Sequence, residues 1–77
     1  MSTAPPIAEA INRRIEAAGI SENSLSKATL IPRITLKRIR EGVADVKASQ
    51  LARIALALDT TPADLFADAD RIQAGAA

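Results

Sequence analysis

Apolar positions recur along this chain at three- and four-residue spacing, in short blocks divided by proline, glycine or small polar residues. The first block is Ile7, Ile11, Ile15 and Ala18, opened by Ala4-Pro5-Pro6 and followed by Gly19. Proline at the first helical position gives up no needed hydrogen bond, and glycine reaches the left-handed conformation that closes a helix. Ser21 is a natural N-cap for a second, short helix over 22–29, with Glu22 at its positive end. Its inward face is Leu25 with Ala28 or Thr29. Pro32 stops that helix and begins a third, which runs to Glu41 and ends at Gly42; residues 43–47 form a loop. Leu51, Ile54, Ala55 and Leu58 lie on one side of a fourth helix. Thr61-Pro62-Ala63-Asp64 opens a fifth: an N-capping threonine, proline at the first position, a carboxylate at the third. It leads into Leu65-Phe66. The Ala-rich, polar stretch from Asp68 either extends this helix or frays. No β-alternating run, repeat or low-complexity stretch interrupts the pattern. The expected fold is all-α, one compact bundle of about five short helices, with its core in 5–67 and a tail over 68–77.

Composition narrows what such a bundle does. Hydrophobic residues make up 48% of the 77, but 17 of them are alanine, and the larger apolar side chains are nine Ile, seven Leu, two Val, Met1 and Phe66. A chain this short buries only ~60% of its unfolded surface, so the core is small and every large side chain counts. Cys and His are both absent. That removes disulfides, thiolate metal sites, the commonest general base and the commonest zinc ligand. The expectation is a non-enzyme without metal, cofactor or small-molecule substrate. No run of ~18 apolar residues would span a membrane, and no basic segment followed by an apolar stretch marks a signal peptide. A soluble, intracellular protein is expected.

Charge is informative through its distribution. The net is only +1, yet residues 1–42 carry seven basic against four acidic side chains, and 43–77 carry three against five. Between Glu22 and Glu41 stand Lys27, Arg33, Lys37, Arg38 and Arg40 with no acid among them. This is a basic stripe on a near-neutral chain. With Ile34 at 0° and ~100° per residue, Leu36 falls near 200° and Ile39 near 140°, which defines the buried side of the third helix. Lys37, Arg38, Glu41 and Ile34 itself face away, with Arg33 and Arg40 on one flank and Thr35 on the other. A charged helix face is often merely solvated. An exposed isoleucine among bases is unusual on such a face, and suits a major groove, where it can meet a thymine methyl.

Two short helices over 22–29 and 33–41, joined by about three residues, suit a helix-turn-helix pinned by Leu25, Ile31, Leu36 and Ile39. The stretch Gly19 to Gly42, GISENSLSKATLIPRITLKRIREG, resembles the helix-turn-helix of the lambda-repressor/Cro-like (XRE) regulators of bacteria and phages. The match runs without a gap through Gly19, Ile20, Ser21, Leu25, Ile31, Arg33, Thr35, Leu36, Arg38, Ile39 and Gly42. LARIALALDTTPADLF further resembles that family's fourth helix and closing Leu-Phe turn, so the likeness spans residues 7 to 66. Three positions depart: Glu22 stands where the family has Gln, Ser26 where it has a small Ala, and Leu30 where it has the turn Gly. Loss of that glycine removes the residue best suited to positive φ and predicts a differently shaped turn.

The resemblance implies a regulator that binds operator DNA, of phage or prophage Cro type or an immunity repressor's DNA-binding part. It implies base contacts from Arg33 and Ile34, with Arg38 one turn further in. Phosphate contacts would come from Ser21, Asn23, Lys27, Thr35, Lys37 and Lys47. Glu22 is assigned an orienting role, bracing the Arg33 guanidinium; accepting from cytosine and an idle surface charge are the alternatives. One such helix reads few base pairs, so a homodimer on a palindromic site is expected. Leu56, Phe66 and Ile72 could form an exposed strip for that contact, unless the chain's own tail packs over Leu56. The rival roles are an antitoxin of a toxin–antitoxin pair and a protein-interaction module of the same fold.

Overall fold

A computed structural model describes residues 5–75, which form five helices: α1 (Pro6–Ala18), α2 (Glu22–Thr29), α3 (Arg33–Glu41), α4 (Ala48–Ala57) and α5 (Pro62–Gln73). The described residues contain no strand. α1 packs on α5 and α3, α2 on α3 and α4, and α4 on α5, in a body of 32 × 23 × 23 Å.

The apolar spacing read from the chain is the spacing that builds the core. Ile11 and Ile15 of α1, Leu25 of α2, Leu36 and Ile39 of α3, Leu51, Ile54 and Ala55 of α4, Leu58, and Leu65 of α5 enclose one cluster, with Ile31 from the α2–α3 turn. On α2 the second inward residue is Thr29, which is fully buried, while Ala28 is exposed. A buried hydroxyl is costly unless paired. Thr29 Oγ1 donates to the Leu25 carbonyl at 2.8 Å and accepts the Ile31 N–H at 3.3 Å.

The helix ends follow from local chemistry. Ser21 Oγ accepts the Ser24 N–H at 3.1 Å, and Thr61 Oγ1 accepts the Asp64 N–H at 3.1 Å. Gly19 closes α1 at φ 66°, its N–H bonded to the Ile15 carbonyl at 3.0 Å. Gln50 Oε1 accepts the Lys47 N–H at 2.9 Å, which is half of a capping box at the start of α4. α5 runs through the stretch from Asp68, reaching Gln73 and burying Ala69. Arg14 explains why: its Nε donates to Asp68 Oδ2 at 2.7 Å, tying α1 to α5, and Arg71 holds the other Asp68 oxygen.

The α2–α3 turn corrects one expectation. Leu30 adopts φ 60°, ψ 23°, the left-handed conformation that glycine would supply. Two hydroxyls impose it. Thr29 holds the Ile31 N–H, and Ser26 Oγ donates to the Ile31 carbonyl at 2.6 Å. Strain at a non-glycine residue persists where the surroundings over-determine it. The turn therefore keeps its shape without glycine, and Ser26 is one of the residues that keep it.

Candidate nucleic-acid interface

Burial sorts α3 into two faces. Leu36 and Ile39 are buried, whereas Arg33, Lys37, Arg38 and Glu41 are exposed, and Ile34 keeps 57% of its surface. Thr35 and Arg40 lie half-buried on the flanks. The phase expected from the wheel is the phase observed. The exposed face thus sets one isoleucine among three bases, a surface able to offer guanidinium forks, an ammonium and a methyl contact together.

The neighbouring elements extend it. Ser21, Asn23 and Ser24 are exposed at the positive end of α2, and Lys27 is exposed one turn on. Free N–H groups and the helix dipole make such an end attractive to anions. Lys47 is exposed at the start of α4. Among the described residues, Lys27, Arg33, Lys37, Arg38 and Lys47 have no carboxylate partner, whereas Arg13, Arg14, Arg40 and Arg71 each do. Four of the six free cations stand on α2 and α3, with Lys47 at the start of α4 and Arg53 within it, while the bases of α1 and α5 are spent within the fold.

Glu22 departs from expectation. Its carboxylate lies on Arg40 and not on Arg33: Arg40 Nη1 donates to Glu22 Oε2 at 2.8 Å. Arg40 is held a second time by α1, because its Nε donates to Asn12 Oδ1 at 2.8 Å. Asn12 Nδ2 returns a bond to the Arg40 carbonyl, also at 2.8 Å. The physical reason is position. Arg40 stands on the flank of α3 nearest α1 and the start of α2, and its rigid fork has two acceptors waiting. Arg33 stands exposed at the opposite end of the helix. Asn12 carried no mark in the sequence beyond being a polar residue beside Ile11. Only the packing of α1 on α3 brings it to a residue 28 positions away.

Leu56, Phe66 and Ile72 do not share a depression. Leu56 keeps 81% of its surface, so α5 does not cover it. Phe66 lines a groove of about 390 Å³ with Ile7, Ile11, Ile39, Val46 and Leu51, while Ile72 lines a second one with Arg13 and Arg71. Among the described residues, no three His, Cys, Asp or Glu side chains come together as a metal site, and no helix is long and apolar enough to cross a membrane.

Comparison with known proteins gives this geometry a context. Residues 10–70 match the sequence model of the Cro/C1-type helix-turn-helix DNA-binding domain. The crystal structure of the clp gene regulator ClgR from Corynebacterium glutamicum superposes with a TM-score of 0.85 at 22% identity. The superposition covers 92% of this chain and 79% of that one. At that identity the likeness is one of fold. No curated protein sequence matches this chain.

Proposed function

Because the chain belongs to the Cro/C1-type helix-turn-helix DNA-binding family, we propose that it is a sequence-specific transcriptional regulator of phage or prophage type, reading operator DNA with α3. α3 enters the major groove while α2 crosses the backbone, as helix-turn-helix domains dock. Arg33 and Ile34 meet base edges, Arg33 by a bidentate contact to guanine and Ile34 by a thymine methyl; Arg38 follows one turn in. Ser21, Asn23, Lys27, Thr35, Lys37 and Lys47 contact phosphates, which fixes register without reading sequence. Two copies bind a palindromic site, one half-site each. The observation that carries the reading is the exposed Ile34 set among unpaired Arg33, Lys37 and Arg38.

Selection of bound duplexes from random DNA tests it, followed by titration of variants against salt. A palindromic consensus is expected. Arg33→Ala should cost ~1–3 kcal/mol on that site and relax one base pair per half-site. Lys37→Ala should weaken all sequences alike and flatten the salt slope by roughly one unit. An unchanged consensus with Arg33→Ala would remove that side chain from base readout. Absence of any salt-dependent duplex binding, with retention of a second small protein, would favour the antitoxin role.

A further inference from the structure

The half-buried cluster of Asn12, Glu22 and Arg40 joins α1, α2 and α3 at one point. It lies beside the proposed reading face, not on it. Arg40 leaves 27% of its side chain exposed and Glu22 26%, so water screens this pair less than a surface one. The guanidinium uses Nε toward α1 and Nη1 toward α2, two directions of a rigid planar fork. The Asn12 amide, bonded to both the side chain and the carbonyl of Arg40, fixes the backbone of the last turn of α3 as well.

Glu22 is the acidic residue of the first turn of α2. In a helix-turn-helix this end approaches phosphate, where an uncompensated carboxylate repels. Arg40 supplies the compensation within the fold.

We propose that Arg40 is a positioning residue for DNA recognition. Shared between Asn12 and Glu22, it sets the angle at which α3 is presented and cancels the carboxylate that α2 carries toward the backbone. The proposal rests on the reading of α3 as the DNA-binding helix. Its two parts separate by substitution. Geometry without charge change is tested by Arg40→Lys, which keeps the cation but has a single nitrogen in place of the fork. Charge is tested by Glu22→Gln, which leaves Arg40 bonded to Asn12 with a free positive edge.

The experiment measures the affinity of the full chain for its selected operator and for a scrambled duplex, as a function of salt, with thermal melts of each variant. Arg40→Lys should leave scrambled-DNA binding near the wild-type level and lower operator affinity roughly tenfold, part of what one bidentate base contact supplies. Glu22→Gln should tighten scrambled and operator binding alike and steepen both salt slopes while preserving the fold, because the phosphate term is independent of sequence. The double variant Glu22→Gln/Arg40→Gln should return scrambled binding to the wild-type level and leave operator binding weak. A cluster serving stability alone would lower the melting temperature of Arg40→Lys and leave its operator-to-scrambled affinity ratio unchanged, which overturns the proposal. Full recovery of operator binding in the double variant overturns the positioning part, leaving neutralisation. If the wild-type chain binds no duplex at all, the DNA reading falls first and this inference with it.

Discussion

Leu30 and Gly42 both take left-handed backbone conformations, and they use them differently. At Leu30 (φ 60°) the side chain is 78% exposed and contributes little burial, so the conformation costs strain with small return. Leu30→Gly should relieve that strain, partly offset by the greater freedom of glycine in the unfolded chain. A net stabilisation of up to about 1 kcal/mol is expected, read from the denaturant midpoint. At Gly42 (φ 78°) an added Cβ would overlap Pro5 Cδ at the start of α1. Gly42→Ala should therefore destabilise by more than ~1 kcal/mol, since strain and clash act together. Destabilisation by Leu30→Gly would show that the freedom gained by the unfolded chain outweighs the strain relieved.

Among the elements, α5 relies on a charged tie as well as on Leu65. The Arg14 hydrogen bond holds the Asp68 carboxyl below its ordinary value; partial burial opposes this, and the positive charges of Arg14, Arg71 and Arg13 reinforce it. The same pairing raises Arg14. A carboxyl with a depressed folded pKa contributes stability that is fully present above its unfolded value, about 3.9. That contribution is lost as pH falls through the lower folded value. Melts of wild type and Asp68→Asn across pH 2 to 6, on the order of two units either side of that value, should differ most at the upper end and converge at the lower. Parallel curves would mean that the tie is solvated and idle.

The whole molecule is small enough for one side chain to decide whether it folds. Stabilities of ~0.05–0.15 kcal/mol per residue leave a margin of a few kcal/mol at the low end for a chain of this size. Leu36 is fully buried, and Leu36→Ala should cost ~2–5 kcal/mol, enough to populate the unfolded chain. Ile34→Ala, on the outward face, should move the melting temperature little while lowering DNA affinity. Calorimetry beside binding titration checks both, and equal melting shifts would place Ile34 in the core. Charge acts at this scale too, because pairing within α1 and α5 leaves four of the six free cations of a near-neutral chain on α2 and α3.

Periodicity and punctuation by themselves determined the five helices, the pins Leu25, Ile31, Leu36 and Ile39, and the outward turn of Ile34, because each follows from spacing within about one helical turn or from a local cap. Two features were decided only in the folded chain, the first by side-chain bonding within one turn and the second by tertiary packing. The left-handed Leu30 depends on hydroxyls of Ser26 and Thr29 closing on the backbone of Ile31, a conformation that intrinsic preference disfavours and local bonding imposes. The partner of Glu22 depends on where α1 and α3 come to rest, which brings the Arg40 guanidinium, already held on α1, to 2.8 Å from the carboxylate. Asn12 supplies that anchor from 28 residues away, and no spacing along the chain encodes a contact of that range.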